Sequence, residues 1–212
     1  INILIFIFIG ITISLISNRL LLRFSESLGI RNKNDVVIRW SNQSKPSLGG
    51  IGLFLGFLSA MIIYLIIEPD FNLFGNLEFL GLFFSSSLAF FMGLADDAYD
   101  TKPLFKLFIQ ISCGLFLLFT GTSITFFNHE IADGIVTVIW VIILMNSLNM
   151  LDNMDGITAT TVLFALLSCL VSAMLTGDGN QLYWMYILIA VIGALLGFLK
   201  YNINPSKMFM GD

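Results

Sequence analysis

Apolar runs long enough to cross a bilayer recur along the whole chain, and they leave few folds open. A spanning helix needs ~20 mainly apolar residues to cover ~30 Å of hydrocarbon at ~1.5 Å per residue. Runs of about that length occupy residues 3–22, 48–67, 77–95, 104–120, 133–150, 157–176 and 183–199. They are continuous rather than alternating and exceed the ~10 residues of a barrel strand. The sequence therefore predicts an all-α, polytopic membrane helical bundle of about seven transmembrane helices. Composition agrees: 57% of the 212 residues are hydrophobic and 11% charged, and the mean hydropathy is +0.92, well above that of a soluble domain. The first run lacks the basic flank and small-residue cleavage site of a secretory signal peptide, so it reads as a span.

Charge gives the bundle a direction. Threading seven spans collects all ten Lys and Arg residues on one side, the side that short-loop positive charge marks as cytoplasmic. The other side receives Glu68, Asp70, Glu78, His129, Glu130, Asp133 and Asp178 without a single Lys or Arg. The amino terminus is expected outside and the carboxyl terminus inside. The net charge of -4 thus conceals a basic cytoplasmic rim. Residues 1–212 read as a single transmembrane catalytic domain, with 23–47 as a cytoplasmic loop. The chain begins at Ile1 and stops at Asp212, directly after a polar motif, and reads as a fragment truncated at its C-terminus. Cys113 and Cys169 lie in apolar runs without metal spacing, so both are expected to be small buried hydrophobes.

The same threading brings four polar clusters to the inner face: KPSLGG at 45–50, LADDAYDTKPLFK at 94–106, NSLNMLDNMDG at 146–156 and NINPSKMFMGD at 202–212. A single Asp at a helix end is explained by a solvated cap. Clustered carboxylates repel, and a cap needs no second or third Asp. Asn and Asp are hard oxygen donors of the kind Mg²⁺ prefers. The spacing of three through Asn146, Asn149, Asp152 and Asp155 keeps neighbours on adjoining parts of one surface if the helix continues that far. Gly49, Gly50, Gly156 and Gly211 let backbone approach closely or take positive φ. Acids with an oxygen-loving cation, flanked by Lys45, Lys102, Lys106 and Lys207, suit a polyanionic phosphate ligand. At a membrane surface, this chemistry points to phosphoryl transfer between a soluble donor and a lipid acceptor.

These motifs, in this order, resemble the polyprenyl-phosphate N-acetylhexosamine-1-phosphate transferase family, of glycosyltransferase family 4 type. KPSLGG matches the family's KPxxGG. Asp96, Asp97 and Asp100 match its DDxxD, Asn146 to Gly156 its NxxNxxDxxDG, and Phe209 to Asp212 its FMGD. The resemblance covers essentially the whole chain and implies transfer of a sugar 1-phosphate from a UDP-sugar to undecaprenyl phosphate, releasing UMP. It implies Mg²⁺, with Mn²⁺ as a substitute, and an active site on the cytoplasmic face of a bacterial inner membrane, at the first membrane step of a cell-envelope glycan pathway. It also admits a homodimer and gives nucleic acid no role.

Residue by residue, the resemblance makes Asp96 and Asp97 the catalytic pair and Asn149 and Asp212 the metal ligands. Lys106 falls at the lysine that contacts the phosphates, Asp152 and Asp155 near uridine and diphosphate, and Lys45 and Asn146 among the other substrate-binding positions. Asp100 stands where the pentapeptide-transferring branch has Lys, which favours an amino-sugar branch. Asn153 and Met154 replace the commoner Gly-x, so the backbone there is less permissive. The family carries further helices and a His-bearing cytoplasmic loop after FMGD, and His129, on the outer side, is no substitute. A transporter would instead bury its acids near the bilayer midplane, and a scaffold would need neither the paired Asp nor the lysines.

Overall fold

The computed structural model describes residues 2–24, 45–176 and 182–212. Most of the 23–47 segment, including Arg31, Lys33 and Arg39, lies outside the described residues, as does Asp178. The chain is all-α: α1 (Asn2–Phe24), α2 (Gly49–Ile67), α3 (Leu77–Tyr99), α4 (Pro103–Phe119), α5 (Glu130–Leu151), α6 (Ile157–Thr176) and α7 (Leu182–Asn202). Six are long and apolar enough to span a membrane. The seventh, α4, has 17 residues, the lower limit for a span. This is the polytopic membrane bundle that the apolar runs predict.

Several helices overrun their apolar stretches, and this decides where the motifs sit. α3 extends through Asp96 and Asp97 to Tyr99, and Asp100 closes it in the left-handed region at φ 51, which Asp tolerates better than most residues. Asn76 opens the same helix, its side chain accepting the Phe79 N–H. Pro103 stands in the first turn of α4, where its missing N–H costs nothing. α5, by contrast, ends at Leu151. The single helical surface through Asn146, Asn149, Asp152 and Asp155 is thereby broken: the two Asn are helical, and the two Asp lie in the turn that follows.

The helices fall into two compact units. One holds α1, α2, α6 and α7, with residues Ile1–Pro69 and Leu151–Gly211. Lipid tails are as apolar as Leu, so helices in a membrane associate through close packing rather than the hydrophobic effect. Here α1 and α7 approach until a Cβ on Gly10 would lie 2.1 Å from the Ala190 carbonyl oxygen, and one on Gly193 would lie 2.4 Å from that of Ile7. Gly193 and Gly197 form a G-x-x-x-G pair on α7, as Gly52 and Gly56 do on α2. Phe6 stacks on Tyr186 at 4.8 Å, and Phe198 and Met208 are fully buried.

The other unit holds α3, α4 and most of α5, residues Asp70–Met150, with Asp212. The Ser85 hydroxyl donates to the Cys113 carbonyl at 3.0 Å and the Cys113 thiol to the Ser85 carbonyl at 3.5 Å, pinning α3 to α4. Cys113 is buried as expected, whereas Cys169 is exposed on α6. A run that is apolar on every side does not say which face turns inward. Asp133 is buried, and its carboxylate accepts the N–H groups of Phe126, Phe127 and His129. It organises the α4–α5 loop from the first turn of α5.

Candidate functional site

The paired aspartates sit in the last turn of α3, and each is held by a different kind of donor. Asp96 turns one oxygen to Thr101, accepting its backbone N–H at 3.2 Å and its hydroxyl in a short bond. Its other oxygen accepts from the Lys106 ammonium at 2.9 Å. Lys106 comes one turn into α4, and the tight α3–α4 connection brings it back over the end of α3. The same ammonium reaches Asp212 at 2.7 Å, so two carboxylates converge on one cationic centre. The Asp212 N–H donates to Asp97 at 3.2 Å. A Cβ on Gly93 would lie 2.5 Å from the Asp212 backbone carbon; only glycine, one turn before Asp97, admits that approach. Asp96, Asp97, Lys106 and Asp212, more than a hundred positions apart at the extremes, thus form one cluster in this unit.

Asn146 and Asn149 occupy the last turns of α5. Asn146 exchanges two hydrogen bonds with Gln110 of α4, donating at 2.8 Å and accepting at 3.2 Å, and donates also to the Ile142 carbonyl. Asn149 is half-buried one turn further on.

A second cluster belongs to the unit of α1, α2, α6 and α7. Lys45 bonds the Ser206 hydroxyl oxygen at 2.7 Å and pairs with the Asp155 carboxylate at 3.3 Å. Asp155 also accepts the Ser206 hydroxyl at 2.6 Å and its N–H at 3.0 Å. Partial burial works against ionisation of Asp155, but the bonds from Ser206 and the Lys45 ammonium outweigh it and hold the carboxyl below its ordinary range. The Lys45 ammonium stands 5.2 Å from the centre of the Phe209 ring, within cation–π reach. Asp152 is half-buried in the same turn as Asp155.

Backbone bonds assemble this cluster. Phe209 donates to the Pro46 carbonyl at 3.0 Å, and the Gly49 and Gly50 N–H groups donate to Phe209 and Met210 at 3.0 and 2.7 Å. A Cβ on Gly49 would strike the Phe198 ring at 2.2 Å. The double glycine of KPSLGG therefore admits the extended FMGD segment and its underlying ring. Asn202, buried, accepts the Gly156 N–H at 3.1 Å and donates to the Met208 carbonyl at 2.9 Å. Gly156 takes φ 76, so the positive φ falls on glycine, while Asn153 and Met154 avoid the left-handed region.

Sequence reasoning missed Thr101, Gln110, Asn202 and Ser206. Ser206 and Asn202 lie inside a motif already singled out, but their types give no sign of the partners they meet. Gln110 was hidden in an apolar run, where one amide among hydrophobes was the available signal.

The model of the family described as glycosyl transferase family 4 matches residues 79–212, well over half of the chain. The chain belongs to glycosyl transferase family 4. The family 4 chain is 24% identical to a Bacillus subtilis protein named "Probable undecaprenyl-phosphate N-acetylglucosaminyl 1-phosphate transferase", over 79% of this chain and 46% of that one. It is 29% identical to the phospho-N-acetylmuramoyl-pentapeptide-transferase of Campylobacter lari, over 81% and 57% of the two chains. It is 30% identical to the enzyme of that name from Streptococcus agalactiae, over 80% and 47%. The chain thus spans about half the length of the curated relatives it matches.

Proposed function

We propose that this chain belongs to a membrane enzyme that moves a sugar 1-phosphate, of the N-acetylhexosamine class, from a UDP-sugar to undecaprenyl phosphate and releases UMP. The observation that carries the reading is the convergence of Asp96 and Asp212 on Lys106, with Asp97 bonded to the Asp212 backbone, in a member of this family. Among the described residues, every helical acid lies in a first or last turn. This supports chemistry at a membrane surface over a transporter with acids at the midplane. The segregation of all ten basic residues to one side of the seven-span threading supports a cytoplasmic site, and the bacterial relatives support a bacterial inner membrane.

Mg²⁺ fits the donor set. Among the described residues no group of three or more His, Cys, Asp or Glu side chains is placed to cage a metal. Mg²⁺ is usually held by one or two carboxylates completed by phosphate and water, and Asp96 and Asp212 already direct an oxygen each at one cation. Asp212, with Asn149 as the neutral donor, would hold the ion, which when bound would neutralise the diphosphate. Lys106 meets the transferring phosphates. Three donors fix the orientation of Asp96, as suits a carboxylate that positions the acceptor. The acceptor monoester has its second pKa at ~6 and is mostly dianionic at pH 7, so an acceptor oxygen attacks the β-phosphorus in line and UMP departs without a covalent enzyme intermediate.

The test is an assay of the full-length protein with a panel of UDP-sugars and undecaprenyl phosphate, following UMP. Release that requires both the lipid and one amino sugar is expected. Failure with every donor, in protein shown to be folded, would refute the reading.

A further inference from the structure

Asn146 stands in the N-x-x-N element, and although the residue is exposed, both N–H bonds of its amide are already used. It donates to Gln110 Oε1 at 2.8 Å and to the Ile142 carbonyl at 2.9 Å, and its oxygen accepts from Gln110 Nε2 at 3.2 Å. Gln110 is 2% exposed, on a helix otherwise apolar apart from Lys106 and Ser112. An amide buried in such surroundings is costly unless paired. A reciprocal pair satisfies both groups, and it forms only where the two helices stand in one register.

That register matters because of what lies next on each helix. Lys106, the cation shared by Asp96 and Asp212, is four residues before Gln110, about one turn of α4. Asn149 is three residues beyond Asn146, about one turn of α5. We infer that Gln110 and Asn146 are a positioning pair that locks α4 against α5 so that Lys106 and Asn149 are presented together, and that Asn146 serves the site through this pair. The neighbouring α4–α5 contacts are steric, as where Gly114 lies against Val138 and Gly134 against Leu118. Such surfaces tolerate small slides, whereas a two-bond amide pair does not.

The inference rests on the transferase reading for its kinetic part. The test exchanges the two side chains in the full-length protein: Gln110→Asn shortens one arm by a methylene, Asn146→Gln lengthens the other, and the double variant restores the combined reach. Each single variant should lower kcat about tenfold or more while leaving KM for the UDP-sugar within about twofold, and the exchange should recover kcat to within about threefold of wild type. Melting temperatures in detergent should show the same non-additivity. If Gln110→Asn is silent while Asn146→Gln raises KM, Asn146 binds substrate and the inference is overturned. It is overturned too if the single variants lower only the melting temperature, or if the exchange fails to recover kcat. Absence of turnover in the wild type would defeat the transferase reading, and with it the positioning role. The thermal cycle would still decide whether the pair locks the helices.

Discussion

Lys106→Met removes the cation on which two carboxylates converge and keeps the length of the side chain. The bonds lost are those at 2.9 Å to Asp96 and 2.7 Å to Asp212. Hydrogen bonds to charged groups contribute about 1.5–3 kcal/mol each. These side chains are 24%, 13% and 31% exposed, so water reaches them and the lower figure applies, about 3 kcal/mol for the two. Solvation of the freed carboxylates returns part of this, leaving about 2 kcal/mol of stability; if the ammonium gives the transferring phosphates a similar stabilisation in the transition state, kcat/KM falls ~30-fold at ~1.4 kcal/mol per factor of ten. The assay is UMP release by purified full-length protein at saturating Mg²⁺, with Lys106→Arg as a control that keeps the charge. The Mg²⁺ concentration for half-maximal rate should not rise in Lys106→Met, because the carboxylates lose a competing cation. Activity within threefold of wild type would show that the convergence does not serve the reaction.

Asp212→Ala removes a carboxylate that Lys106 and the proposed Mg²⁺ share, and should abolish turnover at any practical Mg²⁺ concentration; near-normal rates would remove it from the site. Asp96→Asn should lose activity by a factor that stays constant with pH if Asp96 positions the acceptor. Recovery to wild-type rates above the acceptor's second pKa, ~6, would instead make it a base. Asp155 has its folded pKa depressed by Ser206 and Lys45, so the stability it adds is present above the ordinary carboxylate value of ~3.9 and is lost as pH falls from there through the lower folded value. The difference in melting temperature between wild type and Asp155→Asn should accordingly be full at pH 6 and shrink below about pH 4; a difference unchanged at pH 3 would refute the assignment.

The number and type of the helices were legible in the sequence because a bilayer asks only for length and apolarity, which are properties of a run of residues. Helix ends were less legible, because the capping that sets them is local but conditional. Tyr99, not Ala95, is the last residue of α3 because Asp100 can take φ 51. The spacing of three from Asn146 to Asp155 looked like one surface until the helix stopped at Leu151. The G-x-x-x-G pairs on α2 and α7 were present in the sequence as a packing signal, but not with the helices they would face. Cys169 shows the same limit, since an apolar environment surrounds the bundle as well as filling it.

At the site, the residue types were set by the sequence: Asp96, Asp97, Lys106, Asp155 and Asp212 are ionisable, and the cost of placing charge in hydrocarbon favours them at helix ends and in the connections between helices. Partnership was decided by the tertiary structure alone. That Lys106 bridges Asp96 and Asp212, that Lys45 and Ser206 close on Asp155, and that Asn146 pairs with Gln110 follow from contacts between residues 10 to 161 positions apart. A hydrogen bond is made within ~3.2 Å. Spacing along the chain fixes positions to that tolerance only within a turn of one helix, and the rest depends on where packed side chains let the backbones come to rest.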